Sequence, residues 1–122
     1  MAVLTGDIHS SWAMDLPLDP WSGYDGRTGT GSLAVELITP AISSAPLFTI
    51  QGVRERAPFL RLANPTIKYL EGDSRGYMLM EVSPQRIEAV WHFVRTVSQP
   101  SVDERPGATL VCERGSSRLA AG

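Results

Sequence analysis

The chain has 122 residues and a mass of 13.3 kDa, with 43% hydrophobic and 20% charged residues, a balance that suits one folded domain and excludes a disordered tail. A net charge of −2 and an isoelectric point near 5.6 give no global field that would draw in nucleic acid or an anionic membrane. Eleven glycines and nine prolines make the chain turn-rich and argue against a helical bundle, and Cys112, the lone cysteine, excludes an internal disulfide.

In chain order, Ala2 to Thr5 is a short apolar run stopped by Gly6-Asp7, which predicts a buried strand ending at a loop. No basic region precedes it and a carboxylate arrives at Asp7, so these residues are not expected to act as a signal peptide. Ser10 to Leu16 continues with Trp12 and Met14 on one side until Pro17 and Pro20 break it. Asp19 to Gly31 holds five glycines or prolines and predicts a long surface loop. Ser32 to Thr39 is the next strand, with Leu33, Val35 and Leu37 alternating against Ala34, Glu36 and Ile38. The longest apolar stretch, Ser32 to Ile50, is interrupted by Glu36, Pro40 and Pro46 and excludes a membrane-spanning helix.

Pro46 to Ala63 is the one helix candidate. Phe48, Gly52, Glu55, Phe59 and Leu62 fall near one face, and Pro58 is expected to split the helix or end it early. The rest reads as an antiparallel meander: Thr66 to Glu71, a turn over Gly72 to Gly76, Tyr77 to Val82, and the alternating run Ile87 to Val97. Within that run Ile87, Ala89, Trp91 and Phe93 face one way. Ser98 to Gly107 reads as a linker, and Ala108 to Glu113 as a last short strand before a small-residue tail. The residue pattern therefore gives a β-rich α/β (α+β) fold with one helix.

The step Gly6-Asp7-Ile8-His9 carries the most chemical information. Asp7 and His9 place an oxygen and a nitrogen donor two residues apart at the end of a strand, a pair able to share one metal or bridge to a second. The competing reading is plain turn chemistry, with Asp7 capping the turn and His9 hydrogen-bonded in the loop.

Longer motifs bear on that choice. Val3-Leu4-Thr5-Gly6-Asp7-Ile8-His9-Ser10-Ser11-Trp12-Ala13 resembles the last metal-binding block of the PhoD-like (alkaline phosphatase D) metallophosphoesterases. The resemblance continues through Val35-Glu36-Leu37-Ile38-Thr39-Pro40-Ala41-Ile42-Ser43-Ser44, Ala63 to Tyr69, and Arg75 to Pro84. It implies that residues 1–97 form the C-terminal segment of such a domain, part of an αββα sandwich, with residues 98–122 as linker, terminal strand and tail. It also implies hydrolysis of phosphate esters at a dinuclear site of iron and calcium, with Asp7 and His9 as metal ligands and catalytic residues. His9 has a second possible role there, contacting substrate phosphate. Family members are usually exported.

The family's remaining ligands come from motifs absent here, so the chain alone is expected to be inactive. Cys112 does not replace them, and His92 is expected to be a half-buried structural residue. Asp15, Asp19 and Asp25 are expected to be turn formers and solubilising charges rather than a calcium contact. Trp91 and Tyr77 are expected in the core and Arg54, Arg56 and Arg61 on a solvated helix face. For Trp21 and Tyr24, flanking a Gly-rich loop beside the motif, a role at a pocket rim is an alternative to an ordinary loop position. The opening strand is expected to present an edge that promotes association. Two functional readings follow: part of a phosphate-ester hydrolase, or a non-enzymatic β-rich binding or structural module derived from that family.

Overall fold

A computed structural model describes all 122 residues, and it contains two four-stranded sheets and a single α-helix. The first sheet is built from β1 (Ala2–Thr5), β2 (Ser11–Pro17), β3 (Ser32–Ile38) and β4 (Ile67–Glu71), in the order β1-β3-β2-β4. β1 runs parallel to β3, and the other pairings are antiparallel. The second sheet is an antiparallel meander of β5 (Gly76–Val82), β6 (Arg86–Val94), β7 (Glu104–Glu113) and β8 (Ala120–Ala121).

Alternation fixes how the sheets pack. Ala89, Trp91 and Phe93 of β6 point inward and meet Ala13, Val35 and Leu37 of the first sheet, with Cys112 and Leu119 completing a buried cluster. The Trp91 indole N–H donates to the Ile38 carbonyl at 3.0 Å, a direct bond from one sheet to the other. Tyr69 lies against Trp91 with ring centroids 5.0 Å apart. Both faces of β3 are covered, since Ala34, Val35, Leu37 and Ile38 are all buried. Leu33, on the same alternation as Val35 and Leu37, is exposed at the strand's start.

Several expectations change on contact with the structure. The stretch from Pro46 to Ala63 is a 3-10 turn over Leu47–Thr49 followed by helix α1, Val53–Ala63. The break falls at Gly52, whose left-handed φ of 81° lets the chain turn into the helix, and not at Pro58. Pro58 sits inside α1; the carbonyl it leaves without a helical donor belongs to Arg54, an exposed residue, so water can satisfy it. No residue of α1 is buried, and Phe59 and Leu62, which their spacing places near one face, are 71% and 85% exposed. The last long strand begins at Glu104 rather than Ala108. Pro106 is tolerated within it at a register shift between Val90 and His92 of β6, where no ladder donor is required.

Candidate functional site

The β1–β2 connection is five residues long and unusually shaped. Asp7 and His9 have φ values of 75° and 55°, and they are the only non-glycine residues of the chain in the left-handed region. Gly6, expected to supply the turn, does not use a positive φ; the turn is made by the two residues that could ligate a metal. Such conformations cost of order 1–3 kcal/mol per residue and persist where the surroundings impose them. Here the Ile8 N–H donates to the Gly6 carbonyl at 3.0 Å, and the His9 carbonyl accepts from the Leu47 N–H at 3.1 Å. Asp7 is exposed and His9 half-buried, so both side chains reach solvent from a backbone tied at both ends.

The His9 ring is oriented. Its Nδ1 lies 3.2 Å from the Ala45 carbonyl, and because a carbonyl only accepts, a neutral ring would carry its proton on Nδ1 and leave the Nε2 lone pair free. A backbone carbonyl behind Nδ1 is the usual support for an imidazole that binds metal through Nε2. Beneath the loop, Ser10 is fully buried and passes the contact inward: its hydroxyl donates to the Ile8 carbonyl at 3.3 Å and accepts from the Trp12 indole at 2.6 Å.

The three carboxylates after the motif part company. Asp19 and Asp25 cap turns through the backbone N–H groups of Trp21 and Arg27, both at 2.8 Å, as expected. Turn hydrogen bonds, from Arg27 first, hold the Asp25 carboxyl below the usual carboxylate range. Asp15 is neither a turn former nor a solubilising charge. It is fully buried in β2 and accepts from the Tyr24 hydroxyl and the Leu119 N–H, each at 2.9 Å, while Lys68 lies 3.3 Å away. Burial first, then the bond to Asp15, pushes the Tyr24 phenol well above its ordinary value. Tyr24 is therefore part of an internal network rather than a pocket rim, whereas Trp21 is 74% exposed.

The remaining candidates fall elsewhere. Tyr77, expected in the core, is on the outer face of its sheet. It stacks on His92 with centroids 5.1 Å apart and donates to Glu104 at 2.7 Å, a bond that raises its pKa. His92 is half-buried and 3.3 Å from Glu104, a structural setting as expected. Cys112 is buried within the core, and burial pushes its thiol up. Nowhere in the chain do three or more His, Cys, Asp or Glu side chains converge as a metal-binding group.

Comparison with known proteins places this geometry. Residues 1–91 match the PhoD-like phosphatase family, and the chain belongs to that family of phosphate-ester enzymes. Among individual relatives, it is 27% identical over 121 residues to alkaline phosphatase D of Bacillus subtilis (strain 168), covering 98% of this chain and 19% of that protein. A solved structure of PhoD superposes with a TM-score of 0.70 at 23% identity, covering 99% of this chain and 22% of that one. The fold is thus that of one part of PhoD, and the chain spans about a fifth of the length of the relatives it matches.

Proposed function

We propose that this chain contributes one limb of a metal-dependent site that hydrolyses phosphate esters, with Asp7 and His9 as its metal ligands. The observation that carries the reading is the backbone: the only two left-handed non-glycine residues are the two that bear the donor atoms. The donor chemistry fits the metals expected from the family. A neutral imidazole with a free Nε2 suits iron, and an exposed carboxylate suits calcium or a bridging position. Metal ions held there would supply charge stabilisation at the phosphoryl oxygens.

The chain's own residues orient the donors. Ala45 fixes the imidazole, the His9–Leu47 backbone bond anchors the loop, and Ser10 ties it to the core through Trp12. With two donors and no third converging group, the site needs further ligands from outside residues 1–122, and the relatives are about five times as long. On its own the chain is inactive.

The test is reconstitution. The purified chain with added iron and calcium should give no turnover of a bis-aryl phosphodiester. Mixing it with a polypeptide that carries the preceding part of a PhoD-like enzyme should restore turnover. Asp7→Ala or His9→Ala should then lower the restored rate at least a hundredfold, about 2.7 kcal/mol in the barrier. Undiminished rates in both variants would overturn the ligand assignment and favour the non-enzymatic module.

A further inference from the structure

A second polar concavity lies away from the Asp7–His9 loop, between the β4–β5 turn and the far ends of β6 and β7. It has a volume of about 340 Å³, and its charged lining consists of Arg75, Arg95, Arg105 and Asp73. We propose that it is a binding site for a phosphate-class oxyanion. The inference stands apart from the metal reading, since neither Asp7 nor His9 lines the cavity.

The charges are left over after the fold has used what it needs. Asp73 is neutralised by an ion pair with Arg54. Arg75, Arg95 and Arg105 have no carboxylate partner, so the cavity keeps three cationic groups in a protein whose net charge is −2. The Arg75 Nε donates to the carbonyls of Ser43 and Ser44, both at 3.0 Å, which holds the half-buried side chain in place while its two terminal nitrogens find no internal acceptor.

Arg105 is held in a different way. Its guanidinium carbon lies 4.7 Å from the centre of the Phe93 ring, and one terminal nitrogen donates to the Ser74 hydroxyl at 2.8 Å. The remaining N–H groups of its fork stay free. The Arg95 side chain makes no internal hydrogen bond, while its backbone N–H is tied to the Asp103 carbonyl at 3.1 Å. Planar forks held by their neighbours with open donors match a tetrahedral oxyanion through paired N–H···O bonds. A neutral ligand would leave the charges uncompensated, and a cation would be repelled.

The site is tested by calorimetric titration of the full chain with inorganic phosphate, at low salt and with no metal present. One-to-one saturable binding with a Kd on the order of 1 mM is expected, weakening as salt is added. Arg95→Gln and Arg105→Gln should each raise the Kd about five- to tenfold, the loss of one charge-assisted contact. Arg105→Lys should recover only part of that loss, because it restores charge without the fork. Arg114→Gln, Asp7→Ala and His9→Ala should leave the Kd unchanged. Near-ultraviolet dichroism of the buried Trp91 verifies folding in each variant. Glycerol phosphate titrated in parallel distinguishes a site for free phosphate from one for the phosphate of an ester, according to which binds more tightly. Absence of saturable binding overturns the proposal. So does equal weakening by Arg114→Gln, which would mean diffuse charge attraction, or loss of binding in the Asp7 and His9 variants, which would put the anion at the metal loop.

Discussion

Asp7, in the β1–β2 loop, and Asp15, in β2, are eight positions apart and have opposite surroundings. Asp7 is exposed on a strained turn, whereas Asp15 is fully buried with two hydrogen-bond donors and a lysine. The first arrangement spends stability to hold a donor atom toward solvent. The second uses a charge to join β2, β4, the loop after β2 and the C-terminal tail. A carboxylate in this fold is thus either held out to solvent or used as a fastener, and its environment shows which.

The contrast is sharpest at Asp15. Asp15→Asn should destabilise the chain by about 3–5 kcal/mol in urea unfolding, because it removes one half of a buried pair and leaves Lys68 uncompensated. A loss below about 1 kcal/mol would mean that water or a rearranged Lys68 takes over, and that the network is not a fastener. A smaller effect is expected one bond outward. Tyr24→Phe removes the 2.9 Å bond to Asp15 and should cost about 1.5–2 kcal/mol near neutral pH.

The same variant has a pH signature. The phenol is raised in the folded state, so its contribution to stability is present below the ordinary tyrosine pKa of 10.0 and is lost as pH rises through the higher folded value. Burial likewise pushes Tyr69 up to about 12. Wild type should therefore lose stability progressively above about pH 10, and Tyr24→Phe should show a shallower decline across that window. An unchanged alkaline slope would put the decline on Tyr69 and Tyr77.

The smallest effect carries the opposite sign. Asp7→Gly and His9→Gly relieve a left-handed φ and should each leave stability unchanged or raise it by up to about 1 kcal/mol, the relief being partly offset by the entropy of an added glycine. Destabilisation of 2 kcal/mol or more in thermal unfolding would mean that these side chains hold the fold together, and the contrast with Asp15 would collapse.

Much of the architecture was legible because it is written in local alternation. The inward set Ala89, Trp91 and Phe93, the hairpin turns and the terminal strand all follow from a period of two within one segment. Asp7 and His9 could be singled out because only Ile8 separates them in sequence, but their left-handed backbone could not be read there. Asp15 was not, because its partners come from residues 24, 68 and 119 and a neighbouring cluster of loop aspartates masked it. Two signals pointed to it. Asp15 shares the strand face of Ala13, opposite Trp12 and Met14, and Lys68 is the only lysine among eleven basic residues. Tyr77 failed for the opposite reason. Alternation places it opposite Met78, and with one face of β5 inward only one of the two can be core.

The Leu119 N–H that meets Asp15 lies 104 residues down the chain. During synthesis the Asp15 carboxylate emerges about a hundred residues before the backbone N–H that completes its burial. High sequence separation of this kind slows folding and lengthens the time that unpaired strands stay open to other chains. A chain ending before Leu119 would hold seven of the eight strands without the contact that closes the Asp15 network. Leu119 is thus the timer that decides when this network can close.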